Sequence, residues 1–299
     1  MVRGPDRDYA YGVALVALAG AFWSIGGVLV RWVEAADAWQ IIFYRSLALA
    51  LSLLLIVALR HRGRLAAAFA GIGASGVLAG ACLSGGFIGY VLALHHTTVA
   101  NASFMLGTAP FFAAILGRWF LREEVRRATW LAMTLALCGV AVMVAGSLVI
   151  GSVTGNLFAL GASLSFAVYN VLLRRGRAND MMPCVVIAGL VAAAIAAPVV
   201  IAGPGGFVVG AQDLGLCVVM GTVQVGLGLT VFTLGARHVP AVELALLSMS
   251  ELVLAPLWVW LAVGEVPSAF TLAGGAIVMT AIALQALSGA RRRRITPLV

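Results

Sequence analysis

Ten long apolar stretches, with gaps between them too short to fold on their own, leave this chain one architecture. A helix crossing the hydrocarbon of a bilayer needs about 20 consecutive apolar residues. Such stretches fall at Ala10–Val33, Ala38–Leu59, Ala70–Leu94, Thr98–Leu121, Ala128–Ser147, Gly155–Leu173, Cys184–Ile201, Leu214–Ala236, Ala241–Val263 and Ala269–Ser288. In lipid each backbone N–H and C=O must find a partner inside its own segment, which makes every stretch a helix. The sequence therefore predicts an all-α integral membrane protein with ten transmembrane helices. A soluble domain is excluded: 10% of the 299 residues are charged, against about 25% in soluble domains. Ala17-Leu18-Ala19 imitates a signal-peptide cleavage site, but the apolar run continues to Val33, too far for that class of segment.

The chain contains no lysine, so all 19 basic residues are arginine. A Walker A loop, a pyridoxal-phosphate Schiff base and a retinal linkage are excluded with it. The arginines also set the expected topology, because basic loops stay on the cytoplasmic side. With the N-terminus inside, inner segments hold Arg3 and Arg7, Arg60, Arg62 and Arg64, Arg118, Arg122, Arg126 and Arg127, Arg174, Arg175 and Arg177, Arg237, and Arg291 to Arg294. Only Arg31, at an outer helix end, and Arg45, inside a stretch, depart from the rule, while the outer connections carry Glu34, Asp37, Asp213 and Glu265. The expected location is a bacterial inner membrane with both termini cytoplasmic. The basic tail faces anionic membrane lipids, and nucleic acid is not an expected partner. Cys82, Cys138, Cys184 and Cys217 lack metal-ligand or disulfide spacing and read as small packing residues.

Shifted by about 142 residues, the chain matches itself: Gly73 falls on Gly215, Gly86 on Gly228, His96 on His238 and Glu123 on Glu265. Residues 1–150 and 151–299 thus form two repeats of five helices. An odd number per repeat turns the second upside down, and the arginines of the first copy are replaced in the outward-facing counterparts of the second. Inverted repeats are the substrate of alternating access.

The run Pro110-Phe111-Phe112, Arg122-Glu123-Glu124 and Gly139 has a second copy in Glu251-Leu252-Val253, Gly264-Glu265 and Gly274-Gly275. With Ala21-Phe22-Trp23-Ser24 and Tyr44-Arg45, these residues resemble the EamA-type exporters of the drug/metabolite transporter superfamily along the whole chain. The resemblance implies a central cavity walled by helices 1 to 4 and 6 to 9, with helices 5 and 10 at the periphery, and export of small metabolites; one branch carries amino acids, aromatic ones included. The second copy usually reads Glu-Pro where this chain has Glu251-Leu252, with Pro256 further on, which leaves the kink of helix 9 open.

Ionisable residues at depth are costly unless they face a cavity or a partner. Glu251 and Arg45 are the two expected there, Glu251 for proton coupling or a substrate amino group, Arg45 for a carboxylate; the structural alternative ties both to neighbouring helices. Trp23, Tyr44 and Tyr90 are candidate stacking rings, with packing the competing reading. Ser24, Ser84, Ser103, Gln224 and Ser248 are candidate polar contacts, some of which will bond to backbone instead. Gly85, Gly86, Pro110 and Pro256 are candidate gating positions. Asn101 reads as a helix cap, and His95-His96, without partners at ligand spacing, as an interfacial pair rather than a metal site.

The leading expectation is a secondary active transporter working as a monomer without a cofactor, exporting small amphipathic metabolites, amino acids foremost, with protons as the candidate coupling ion. Phosphorylated solutes would call for several deep basic residues. The alternatives are an exporter of nucleobases or drug-like cations and, in another class, a membrane-embedded lipid-modifying enzyme. The enzyme would need clustered His and carboxylates, whereas the adjacent acids Glu123-Glu124 sit among arginines. A passive channel would share the architecture without saturation or counter-flow.

Overall fold

The structure, a computed structural model, describes residues 5–97, 99–145, 153–176, 179–264 and 266–295. Arg3, Arg177 and Glu265 lie outside them. Among the described residues all regular structure is helical. Ten helices are long and apolar enough to cross a membrane, and they are numbered spans 1 to 10: Asp8–Arg31, Ala38–Arg60, Gly73–Ala93, Ala102–Leu121, Arg127–Val144, Val153–Arg175, Met182–Ala202, Ala211–Ala236, Ala241–Ala262 and Ala269–Ser288. The third expected stretch began at Ala70. The chain instead makes a short helix Leu65–Gly71 and turns at Gly73, whose φ of +59° only glycine adopts freely.

Four spans are interrupted. Span 1 breaks at Ile25, between Pro5–Ser24 and Gly26–Arg31. Span 4 divides into Val99–Leu106 and Ala109–Leu121, with Pro110 in the first turn of the second piece, where its missing N–H costs nothing. Span 9 divides at Met249 into Ala241–Ser248 and Ser250–Val263. The break therefore comes before Glu251-Leu252, and Pro256 sits inside the second piece. Span 8 opens into a π-helix over Met220–Leu227. Its glycines fit the wide turn: a Cβ added at Gly221 would run into the Arg45 carbonyl and Leu49 N of span 2, and one at Gly226 would stand 3.6 Å from Leu49 Cδ1. Two residues five apart facing one neighbour is the spacing of a π turn, not of an α turn.

Span 3 packs on span 6, span 1 on span 8, span 2 on span 7 and span 5 on span 10, a pairing unchanged when the halves are exchanged. Contact between helices in lipid depends on close backbone approach rather than on the hydrophobic effect. At the crossing of spans 5 and 10, a Cβ added to Gly139 would lie 2.8 Å from the Gly274 carbonyl. The loops after spans 2, 4, 6 and 8 gather at one end, the basic end, which carries Arg60, Arg122, Arg174 and Arg237.

Candidate functional site

Spans 1 to 4, 6, 8 and 9 line a cavity of about 190 Å³, small beside the ~300–1,000 Å³ typical of drug-sized pockets. Each wall has a local cause. On span 3, Leu83, Gly86, Phe87 and Tyr90 recur at helical spacing and present one face. On span 8, the π turn turns Gln224 toward span 1, where its Nε2 donates to the Trp23 carbonyl at 3.1 Å. That carbonyl stands at the end of the first segment of span 1, just before the break at Ile25, and needs an outside partner. The break in span 9 places Ser248, Met249 and Glu251 at the cavity wall.

Arg45 is the one basic side chain among the described lining residues. It is 8% exposed, its Nη2 has no hydrogen-bond partner, and its guanidinium lies 5.5 Å from the centre of the Phe87 ring. Glu251 lines the same cavity, yet among the described residues the two form no ion pair. A buried guanidinium with an unfilled donor has the chemistry to receive an anionic oxygen.

Beneath the cavity, toward the basic end, contacts follow one another in layers. Trp23, Phe166, Phe232 and Tyr169 form an aromatic floor, with Trp23 and Phe232 centroids 5.2 Å apart and Phe166 and Phe232 5.8 Å apart. Below it, the Tyr9 hydroxyl donates to Glu243 at 2.7 Å. At the mouth, Arg174 Nε meets Glu123 at 3.1 Å, and Asp180 meets His61 at 3.3 Å, Arg237 at 3.4 Å and Arg60 at 3.7 Å. Arg174 also donates to the Arg237 carbonyl at 2.8 Å, and the Ala241 N–H donates to Glu123 at 3.4 Å.

Of the residues singled out as substrate contacts, Trp23, Arg45, Tyr90, Ser103, Gln224, Ser248 and Glu251 line the cavity. Ser24, Tyr44 and Ser84 are not on its wall. Ser24 donates to the Ala21 carbonyl and accepts from Trp258 Nε1 at 2.8 Å, and Ser84 donates to Ala81 O at 2.7 Å. Tyr44 donates to the Phe207 carbonyl at the opposite end. Gly86 lines the cavity, and Gly85 is not among the lining residues; both lie beside Ser165 of span 6. His96 is the last residue of its helix and stacks on Phe158. Sequence reasoning passed over Phe87 and Phe166. Phe87 was recoverable, since it lies on the stripe that Gly86 and Tyr90 already marked. Glu243 was passed over too; it is buried, and its Tyr9 partner lies 234 residues away in sequence.

The chain matches the EamA-like transporter family over residues 10–145 and again over 153–287. It is 30% identical to the pseudopaline exporter of Pseudomonas aeruginosa over 286 residues, covering 90% of this chain and 94% of that protein. It is 25% identical to the protein LicB of Haemophilus influenzae over 143 residues, 44% of each chain. A solved structure superposes with a TM-score of 0.78 at 20% sequence identity, covering 95% of this chain and 98% of the other, which establishes the fold.

Proposed function

The chain belongs to the EamA-like transporter family, a multi-pass membrane protein, and from that premise we propose that it exports small amphipathic zwitterions by alternating access, amino acids with apolar or aromatic side chains foremost. The observation that carries this reading is the unfilled donor of Arg45 in a cavity that also holds Glu251. A carboxylate completes the guanidinium through charge-assisted hydrogen bonds. An ammonium answers Glu251, and the rings of Trp23, Phe87 and Phe166 receive an apolar side chain. One deep arginine suits a single carboxylate better than a phosphate.

The two halves, residues 1–150 and 151–299, act as inverted repeats that exchange conformations about this site. Support comes from the breaks at Gly107 and Met249 and the left-handed residues Arg122 and Gly264, each pair standing 142 residues apart. The basic end faces the cytoplasm of a bacterial inner membrane, Glu251 carries the coupling proton, and the monomer suffices. A second reading, favoured by similarity along nearly the whole chain, takes the solute of the pseudopaline exporter.

Reconstitution into liposomes with labelled phenylalanine, leucine, glutamate and pseudopaline, with and without a pH gradient, tests these assignments. Saturable, gradient-driven phenylalanine movement is expected. Failure of every amino acid to move or compete removes the amino-acid reading. A Glu251→Gln variant with unchanged rate and unchanged pH dependence removes the proton role.

A further inference from the structure

Asn170 of span 6 is fully buried, and neither its amide nitrogen nor its amide oxygen has a partner. An unpaired amide in a helix bundle is costly, and a leucine of similar size would spare the fold that cost. Its place along the helix gives the asparagine a use. At about 100° per residue, Ser163, Asn170 and Arg174 fall within about 20° of one line on span 6. Ser163 lines the cavity and Arg174 makes the Glu123 contact at the basic mouth. Along span 6, Asn170 thus stands between the cavity and the ion pair at the basic end.

The neighbours agree. Ala167, three residues before Asn170, packs with Ala113 of span 4 and Ala245 of span 9, and Ala245 is itself on the cavity wall. At the other end of the same seam, Glu123 follows span 4, Arg174 lies in the last turn of span 6, and the Ala241 N–H that donates to Glu123 opens span 9. The seam between spans 4, 6 and 9 therefore runs from cavity to mouth, sealed by small alanines above and by an ion pair below.

We propose that Asn170 is a second polar binding station for the transported solute, on the half of the path closed in this structure, used when the seam of spans 4, 6 and 9 parts. This rests on the reading of the protein as a zwitterion carrier. The amide offers an acceptor to an ammonium and donors to a carboxylate, and, being uncharged, it releases the solute more readily than another buried arginine would.

Two variants test it in liposomes with labelled phenylalanine, leucine and glutamate. Asn170→Leu is expected to keep or raise the melting temperature in detergent while transport falls tenfold or more; transport at the wild-type rate overturns the proposal. Asn170→Cys, in a chain with Cys82, Cys138, Cys184 and Cys217 replaced by alanine, is expected to react with a membrane-impermeant maleimide applied at the basic end and not at the other. An added Arg174→Gln should speed that reaction. No reaction from the basic end overturns the proposal even if Asn170→Leu fails to fold. If the wild type moves none of the three amino acids while the cysteine still reacts from the basic end, the amino-acid assignment falls and the station stands.

Discussion

The two ends of the bundle are tied in different ways. At the basic end, ion pairs lead: Asp180 joins the loop after span 6 to those after spans 2 and 8, and Arg174 and Glu123 bring in the loop after span 4, with bonds to the Arg237 carbonyl and from the Ala241 N–H beside them. At the opposite end no ion pair is present among the described residues, and the chief ties of one corner run from side chain to backbone. Asp213 accepts from the N–H groups of Glu34, Ala35 and Ala36 at 3.0, 2.9 and 2.8 Å, and Gln40 donates to the Gly206 carbonyl at 2.9 Å. These contacts bind only the corner of spans 1, 2, 7 and 8. A separate corner joins Thr97 to Asn156 at 3.2 Å and His96 to Phe158. One end is thus a single network across the path, and the other is two corners with the cavity between them. Partly exposed ion pairs are individually modest and made or lost singly, which suits a closure that releases under the alternating access proposed above. Backbone-directed bonds hold a corner that should stay intact while the rest moves.

This contrast can be broken by removing either kind of tie. The largest effect is expected from Asp213→Ala, which strips three N–H groups of one acceptor at once. The melting temperature should fall by several degrees with little change in which side reagents reach the cavity; a change of side without loss of stability would reverse the roles assigned to the two ends. Next, the double variant Glu123→Ala with Asp180→Ala removes several pairs worth about 0.2–1 kcal/mol each. Labelling of cysteines placed beneath the floor should rise about tenfold from the basic end, as expected for a shift of ~1.4 kcal/mol. Gln40→Leu should cost about 1 kcal/mol of stability for its lost hydrogen bonds, read by thermal unfolding, and leave that labelling unchanged. The smallest effect is expected from salt: raising ionic strength should speed basic-end labelling by less than about twofold, because partly buried pairs are incompletely screened. Insensitivity of the double variant to salt would confirm which charges carry it.

The ten spans and the basic end were legible because length of apolar run and placement of arginine are properties of composition along the chain. The interruptions were less so. Pro110 marked the break in span 4, but span 9 breaks at Met249 with no proline beside it, and the nearest one, Pro256, is accommodated inside the following helix. Depth could be read for polar residues, but the face they turn to could not. Ser84 and Ser24 lie at cavity depth, yet each hydroxyl is satisfied one turn back on its own helix. Tyr44 likewise spends its hydroxyl on a loop carbonyl distant in sequence. Arg45 stood out because no topology rule accounted for it. Asn170 did not, because an uncharged amide in an apolar run carries no such signal.

The π turn of span 8 has a consequence for how this chain tolerates change. Its wide pitch is a matter of how many residues occupy the turn more than of which ones do. Point substitutions that respect the close contacts at Gly221 and Gly226 leave the pitch alone. Loss of one residue within 220–227 would let the turn heal into an ordinary helix with the flanking segments nearly in place, since the wide turn is what absorbs the extra residue, and would remove the widening that turns Gln224 toward the Trp23 carbonyl. In protein-engineering terms, the centre of span 8 is forgiving in spelling and strict in count.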